Sequence, residues 1–249
     1  MTKLPSGLKS DTVLEAIFEM RFEPEPPNEA VFGVIYPIVM SKFSGLQHIP
    51  LPVLQLPDVV RNNDIQFKYQ PLNRLQGTEL SISIGPRVFS FSILKPYIGW
   101  GKWKPSILDI LNKLSDSHVI KSVTRTGLRY LNFIERDVFP LVNVDVKIIN
   151  STVKPLSTNV RAEIAEGEYM KALQLANNAS INEKGQNKKG SLIDIDVVRN
   201  KKITNYDFKI NLETILDKSH MMAKQLYFDI LKQDFLTELE PIYGELSDG

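Results

Sequence analysis

The sequence predicts an α+β protein. It reads as a mainly antiparallel sheet with helices packed on one face, a ferredoxin-like first half (βαββαβ), and a second half that extends the sheet and ends in a long helix. Three observations predict this. Apolar residues alternate at period two over residues 13–22, 80–84, 89–93 and 119–134, the pattern of strands with one buried face. They recur at helical spacing over residues 30–43, 105–114 and 212–231. The order strand, helix, hairpin, helix, strand in the first half is the split βαβ plan with one extra strand.

Residues 13–22 set Leu14, Ala16, Phe18, Met20 and Phe22 on one face and Glu15, Ile17, Glu19 and Arg21 on the other. After Pro24 and Pro27, Val31, Ile35, Ile38 and Val39 form a helical stripe that Pro37 is placed to kink. Prolines at 50, 52 and 57 mark residues 46–64 as an extended connection, and Phe67 with Tyr69 marks a short strand. Gly85-Pro86-Arg87 joins two alternating runs into a hairpin. Pro105 opens a helix to Leu114, where its missing N–H costs little, and a long strand follows to Ile134.

Residues 136–160 read as a connector between an N-terminal half, 1–135, and a C-terminal half, 161–249, the two forming one compact unit. In the second half, residues 161–177 and 191–199 read as strands joined by a mobile polar loop carrying Lys184, Lys188 and Lys189. Asn211 is the expected N-cap of the last helix, Leu212 to Leu231, with Ile215, Leu216, Met222, Leu226 and Ile230 on its core stripe. An acidic tail is expected to fray.

Composition narrows the function classes. A chain of 249 residues with 43% hydrophobic and 24% charged residues is that of a globular protein with a packed core. Thirty Lys and Arg against 29 Asp and Glu leave a net charge of +1. That removes the broad basic field of a non-specific nucleic-acid binder and leaves only a local basic-aromatic patch for such a role. The absence of cysteine excludes disulfides, thiolate metal sites and thiol catalysis, and fits a reducing compartment. No apolar run nears the roughly 18 residues of a membrane span and no signal-peptide pattern opens the chain, so a cytoplasmic protein without a membrane partner is expected.

Three segments occur in a familiar order: Leu14 to Phe22, Tyr97-Ile98-Gly99-Trp100, and Arg125-Thr126-Gly127-Leu128-Arg129-Tyr130-Leu131-Asn132. With Leu216-Asp217-Lys218-Ser219-His220 ahead of Phe228, the chain resembles, over nearly its whole length, a sporadically distributed prokaryotic family of about 250 residues and unknown function. The resemblance implies no assigned activity. The family's patchy distribution points to horizontally moved genes, hence to defence or a toxin–antitoxin-like pair.

Arg125, Gly127 and Arg129 share a strand face, with a glycine gap between two guanidinium groups suited to a phosphate or carboxylate. Arg21 belongs to the same charged surface. The other reading is a salt ladder, since Glu15, Glu19, Asp194 and Asp196 supply the opposite charges from the chain itself. Lys95 to Lys104 interleaves Tyr97, Trp100 and Trp103 with lysines, as single-strand stacking platforms do, although such rings also anchor strand-to-helix connections by packing.

Asp194 and Asp196 are candidate ligands for a hard divalent cation with Asp207 or Glu163, against a plain ion-paired face. Asp217 and His220 are neighbours on the last helix, with no nucleophile elbow to accompany them. The lysine-rich loop, with Lys201 and Lys202, is a contact for an acidic partner or a solvated hairpin tip. With no phosphate loop, metal cluster or nucleophile motif, the leading expectation is a non-catalytic, cofactor-free protein-binding or assembly subunit, engaging a protein partner or its own copies. The alternatives are a nucleotide or nucleic-acid binding module, in which Arg125 and Arg129 hold phosphate while Trp100 or Trp103 stacks, and a metal-dependent hydrolase.

Overall fold

The computed structural model describes residues 4–148, 151–152, 157–183 and 185–244. The first half runs Gly7–Leu8 (β1), Val13–Pro24 (β2), Asn28–Lys42 (α1), Gln47–Pro50 (β3), Asp58–Asn63 (α2), Ile65–Lys68 (α3), Asn73–Gln76 (β4), Leu80–Gly85 (β5), Val88–Leu94 (β6), Trp100–Asp116 (α4) and Ile120–Ile134 (β7). The second adds Lys147–Ile148 (β8), Ser151–Thr152 (β9), Asn159–Glu166 (β10), Tyr169–Glu183 (β11), Gln186–Arg199 (β12), Ile203–Thr204 (β13), Asn205–Ile230 (α5), Gln233–Glu238 (α6) and Pro241–Ile242 (β14).

The fold is mixed α and β around an antiparallel sheet. Among the described residues the strands run β10-β11-β12-β7-β2-β6-β5-β4-β3, and β13 also pairs with β7, making ten. Two short pairs, β1 with β14 and β8 with β9, stand apart from it. Period-two alternation decides which face is buried. Ala16, Phe18, Met20 and Phe22 of β2 pack under Val31, Ile35 and Val39 of α1 and Trp103, Ile107 and Leu111 of α4.

The long helix α5 serves both halves. Phe208, Leu212, Ile215 and Leu216 join that first cluster, while Met222, Ala223, Leu226 and Ile230 join a second with Leu173, Leu175, Ile193 and Ile195 of β11 and β12. Helices α1, α4 and α5 thus cover one face of the sheet and leave the other open apart from Tyr69, at the end of α3, whose ring centre lies 4.9 Å from the Arg21 guanidinium. Among the described residues no helix is long and apolar enough to cross a membrane.

Several local expectations need correction. The prolines at 50, 52 and 57 punctuate rather than extend: Pro50 ends β3, Pro52 opens a 3₁₀ turn, and Pro57 precedes α2. Phe67 and Tyr69 do not form a strand, because Asp64 accepts the Gln66 N–H at 2.8 Å and caps α3. Helix α4 begins at Trp100, since Gly99 at φ +86° lets the chain turn in early, and Pro105 consequently sits inside the helix.

Helix α5 is capped by Thr204, whose hydroxyl accepts the Asp207 N–H at 3.1 Å; Asn211 lies inside the helix and donates to the Asp207 carbonyl at 2.8 Å. Residues 161–177 are split between β10 and β11, the chain reversing at Gly167 with φ +60°. The polar run after Asn182 is mostly paired strand. Gly190 lets β12 pass close to the end of β7: a Cβ there would stand 2.2 Å from the Ile134 carbonyl oxygen. Lys184 and the acidic tail from residue 245 lie outside the described residues.

Candidate functional site

Strand β7 divides the predicted site between two surfaces. Alternation sends Arg125, Gly127 and Arg129 to the open face and Thr126, Leu128, Tyr130 and Asn132 to the helix-covered face. Arg21 joins the first group, while Tyr97, Trp100 and Trp103 pack with the second. The arrangement expected for a nucleotide, with Arg125 and Arg129 on phosphate and a tryptophan on its base, is therefore broken by the thickness of the sheet. Trp103 is moreover fully buried, edge-on to Phe91, Tyr97, Trp100 and Tyr130.

On the open face the arginines form a ladder. Register places Arg21 directly opposite Arg125, a like-charge pair that costs energy, and Glu19 resolves it by accepting from both guanidinium groups. Arg125 also reaches Asp196 at 3.5 Å, and Arg129 Nε donates to Asp194 Oδ1 at 2.8 Å, with Nη2 on Oδ2. Burial raises the Asp196 carboxyl above its ordinary range, opposed by Arg125 and Arg129. A Cβ on Gly127 would stand 3.4 Å from both Arg125 Nη1 and Asp196 Oδ1, so the glycine gap is filled by the ladder's own atoms.

The same pairs occupy the proposed metal ligands. Asp194 and Asp196 are held by arginines, Asp207 bonds Thr204, and Glu163 pairs with Arg161 at 2.8 Å. Among the described residues no group of three or more His, Asp and Glu is arranged to hold a metal ion. Of the lysine-rich run, Lys188 bridges Glu135 and Glu183, and beyond it Lys201 pairs with Glu168.

The helix-covered face holds a cavity of about 950 Å³. Tyr130 and Asn132 of β7 form its floor, His220, Lys224 and Tyr227 of α5 one wall, Tyr97 to Lys102 another, and the paired β1 and β14 its rim. His220 stacks flat on Trp100, ring centres 4.4 Å apart and planes 7° apart. Its Nδ1 shares a 2.9 Å hydrogen bond with the Tyr130 hydroxyl. Thr12 Oγ1 donates to Asn132 Oδ1 at 3.0 Å and lies 2.7 Å from the Tyr227 hydroxyl.

Burial sets the charge states here. It pushes the His220 imidazole down to about 3 and the Tyr97, Tyr130 and Tyr227 phenols up, so the ring and the three hydroxyls are uncharged at neutral pH. Four lysines and one acid line the cavity: Lys9, Lys95, Lys102, Lys224 and Asp11. Lys9 is matched by Glu240 at 3.1 Å and Lys95 by Glu183 at 2.9 Å. Lys224 is half-buried and donates to the Ser6 carbonyl at 3.5 Å; burial pushes its ammonium pKa down and no carboxylate offsets that.

Tyr97, Trp100 and His220 are the sequence candidates that reach this cavity. His220 turns away from Asp217, which accepts from Lys104 at 2.8 Å. Lys224, Tyr227, Tyr130 and Asp11 complete the site without having been singled out by sequence. The legible signal is the spacing of His220, Lys224 and Tyr227 on one side of α5. Compared against models of known protein families the chain matches none, and no curated protein sequence matches it either.

Proposed function

We propose that this protein is a non-catalytic binding module whose helix-side cavity holds a small organic anion carrying a flat ring, with mononucleotides as the representative class. The observation that carries the reading is Lys224. A half-buried ammonium in a cavity whose lining includes Tyr227, Phe228 and Trp100, without an ion-pair partner among the described residues, bears a desolvation cost that an anionic ligand offsets. The apolar and aromatic lining with a few placed hydroxyls is the ordinary make-up of a ligand cavity, and its volume is in the usual range.

A binding role rather than catalysis is supported by the titration of Tyr130 and His220. Burial moves the first up and the second down, away from neutrality, whereas a general acid or base works best with a pKa near the working pH. Of the segments on which the family resemblance rests, Tyr97 to Trp100, the end of Arg125 to Asn132 (Tyr130 and Asn132) and His220 of the helix run line this cavity, while Leu14 to Phe22 does not. We also read residues 13–134 as ferredoxin-like: the order β7-β2-β6-β5, all antiparallel, with α1 and α4 as the crossovers, supports that plan.

The test uses 8-anilinonaphthalene-1-sulfonate, a flat ring system with one anionic group, and AMP as competitor. The folded protein is expected to enhance the dye's fluorescence, Lys224→Met to weaken binding about tenfold or more, and AMP to displace the dye. No enhancement by the native protein, or an unchanged affinity in Lys224→Met, sinks the reading. Displacement by benzoate but not by AMP keeps the site and removes the nucleotide class.

A second reading, engagement of a protein partner, draws on Leu54, Val59, Val60 and Ile65, which hold apolar side chains in solvent, Val59 and Ile65 at 71% and 72% exposure. Val59→Asp with Ile65→Asp is expected to leave dye binding unchanged and to abolish a stoichiometric complex with a purified partner. Retention of that complex removes this surface from consideration.

A further inference from the structure

We infer that β10 is a dimerisation edge, at which a second copy of this chain continues the sheet by antiparallel pairing about a two-fold axis through Ala162. This inference is independent of the ligand cavity.

The sheet has two edges, and they differ. The β3 edge is four residues long and stops at Pro50, a short, proline-ended edge of the kind that resists further pairing. The β10 edge is eight residues long, contains no proline, and among the described residues pairs through its whole length with β11 on one side only. Its outward N–H and C=O groups are a template for another strand.

The sequence of that edge chooses its own partner. Arg161 and Glu163 lie on the open face, opposite Gln174 and Ala172, while Val160, Ala162 and Ile164 lie on the helix side, opposite Leu175, Leu173 and Lys171. Ile164 is 44% exposed there. An antiparallel copy centred on Ala162 sets each Arg161 against the Glu163 of its mate and each Val160 against the Ile164 of its mate. A centre at Arg161 sets arginine against arginine, and one at Glu163 sets glutamate against glutamate, both unfavourable. Charge and apolar matching therefore select a single register, and a two-fold operation closes the assembly at two copies. Strand pairing alone lies at the small end of interface sizes, so the dimer is concentration-dependent.

Sedimentation velocity across a concentration series tests it. The wild type is expected to approach twice the 28.3 kDa protomer mass as concentration rises. Arg161→Glu, which opposes carboxylates at both ends of the pair, is expected to weaken the dimer about tenfold to hundredfold, and Arg161→Glu combined with Glu163→Arg to restore it. Ala162→Pro is expected to give monomer with an unchanged far-ultraviolet circular dichroism spectrum. A wild type that stays at protomer mass overturns the inference. So does a dimer indifferent to Arg161→Glu, which places the contact elsewhere, or a charge swap that fails to rescue, which removes the register.

Discussion

The two faces of the sheet use their ionisable side chains in opposite ways. On the open face Glu19, Arg21, Arg125, Arg129, Asp194 and Asp196 match one another across β2, β7 and β12. On the helix-covered face Lys224 lines the cavity, donates to the Ser6 carbonyl and has no ion-pair partner among the described residues. The charged surface that looks like a site in sequence is self-satisfied, and the surface that looks like core holds the unmatched charge. A satisfied group needs no ligand, so the difference fits a structural role for one face and supports the proposed binding role of the other.

The largest effect separating the faces is expected behind the cavity. Trp103→Ala removes a fully buried ring from the wall shared by Phe91, Tyr97, Trp100 and Tyr130 and is expected to cost about 3–5 kcal/mol. Urea unfolding measures this. A loss below about 1 kcal/mol means that the ring is not packed as described and that the cavity wall is soft.

A smaller loss is expected on the open face. Arg129→Ala leaves Asp194, whose side chain is only 11% exposed, without its guanidinium, at a cost of about 1–3 kcal/mol. Arg129→Ala combined with Asp194→Asn is expected to recover part of it, and dye binding is expected to stay unchanged throughout. Loss of dye binding in a stable Arg129→Ala protein moves the site to the open face and breaks the comparison.

The pH dependence of stability sharpens it further. Burial lowers the His220 pKa from 6.5 to about 3. Its contribution is therefore fully present above pH 6.5 and is lost as pH falls toward 3, because the unfolded chain takes up a proton that the folded chain refuses. The slope for one proton is about 1.4 kcal/mol per pH unit. Glu168 and Glu183, each held near 2 first by hydrogen bonds from Arg199 and from Lys95 respectively, add a loss between pH 4.5 and about 2 in any variant, overlapping the lower end of the His220 window. The informative quantity is thus the wild-type advantage over His220→Gln, expected to be flat above pH 6.5 and to shrink below it.

What was legible in sequence was periodic. The alternation at Ala16 to Phe22 and the stripe from Leu212 to Ile230 follow from strand and helix geometry and report burial directly. Boundaries set by single side chains were less visible: the Thr204 cap outcompetes Asn211 through one hydrogen bond, and Gly167 divides a run whose composition stays strand-like. Of the cavity, Tyr97 and Trp100 were visible as a local aromatic cluster. Tyr130 and Lys224 were not, because β7 hides Tyr130 in the core-facing parity beside Leu128, and only the tertiary packing of α5 brings Lys224 against the rim formed by residues 6–8.

The smallest expected effect is the most discriminating for the open face. If the gap at Gly127 were shaped for a phosphate between Arg125 and Arg129, a methyl group there would abolish phosphate binding. The ladder already places Arg125 Nη1 and Asp196 Oδ1 at 3.4 Å from that methyl position, an ordinary contact distance, and the φ of Gly127 is not positive. Gly127→Ala is therefore expected to shift stability by no more than about 0.5 kcal/mol, the gain in strand propensity offsetting slight crowding. Isothermal titration with inorganic phosphate is expected to show no heat for either protein. Phosphate heat in the wild type that vanishes in Gly127→Ala would make the open face a binding surface after all, with the ladder as its resting state.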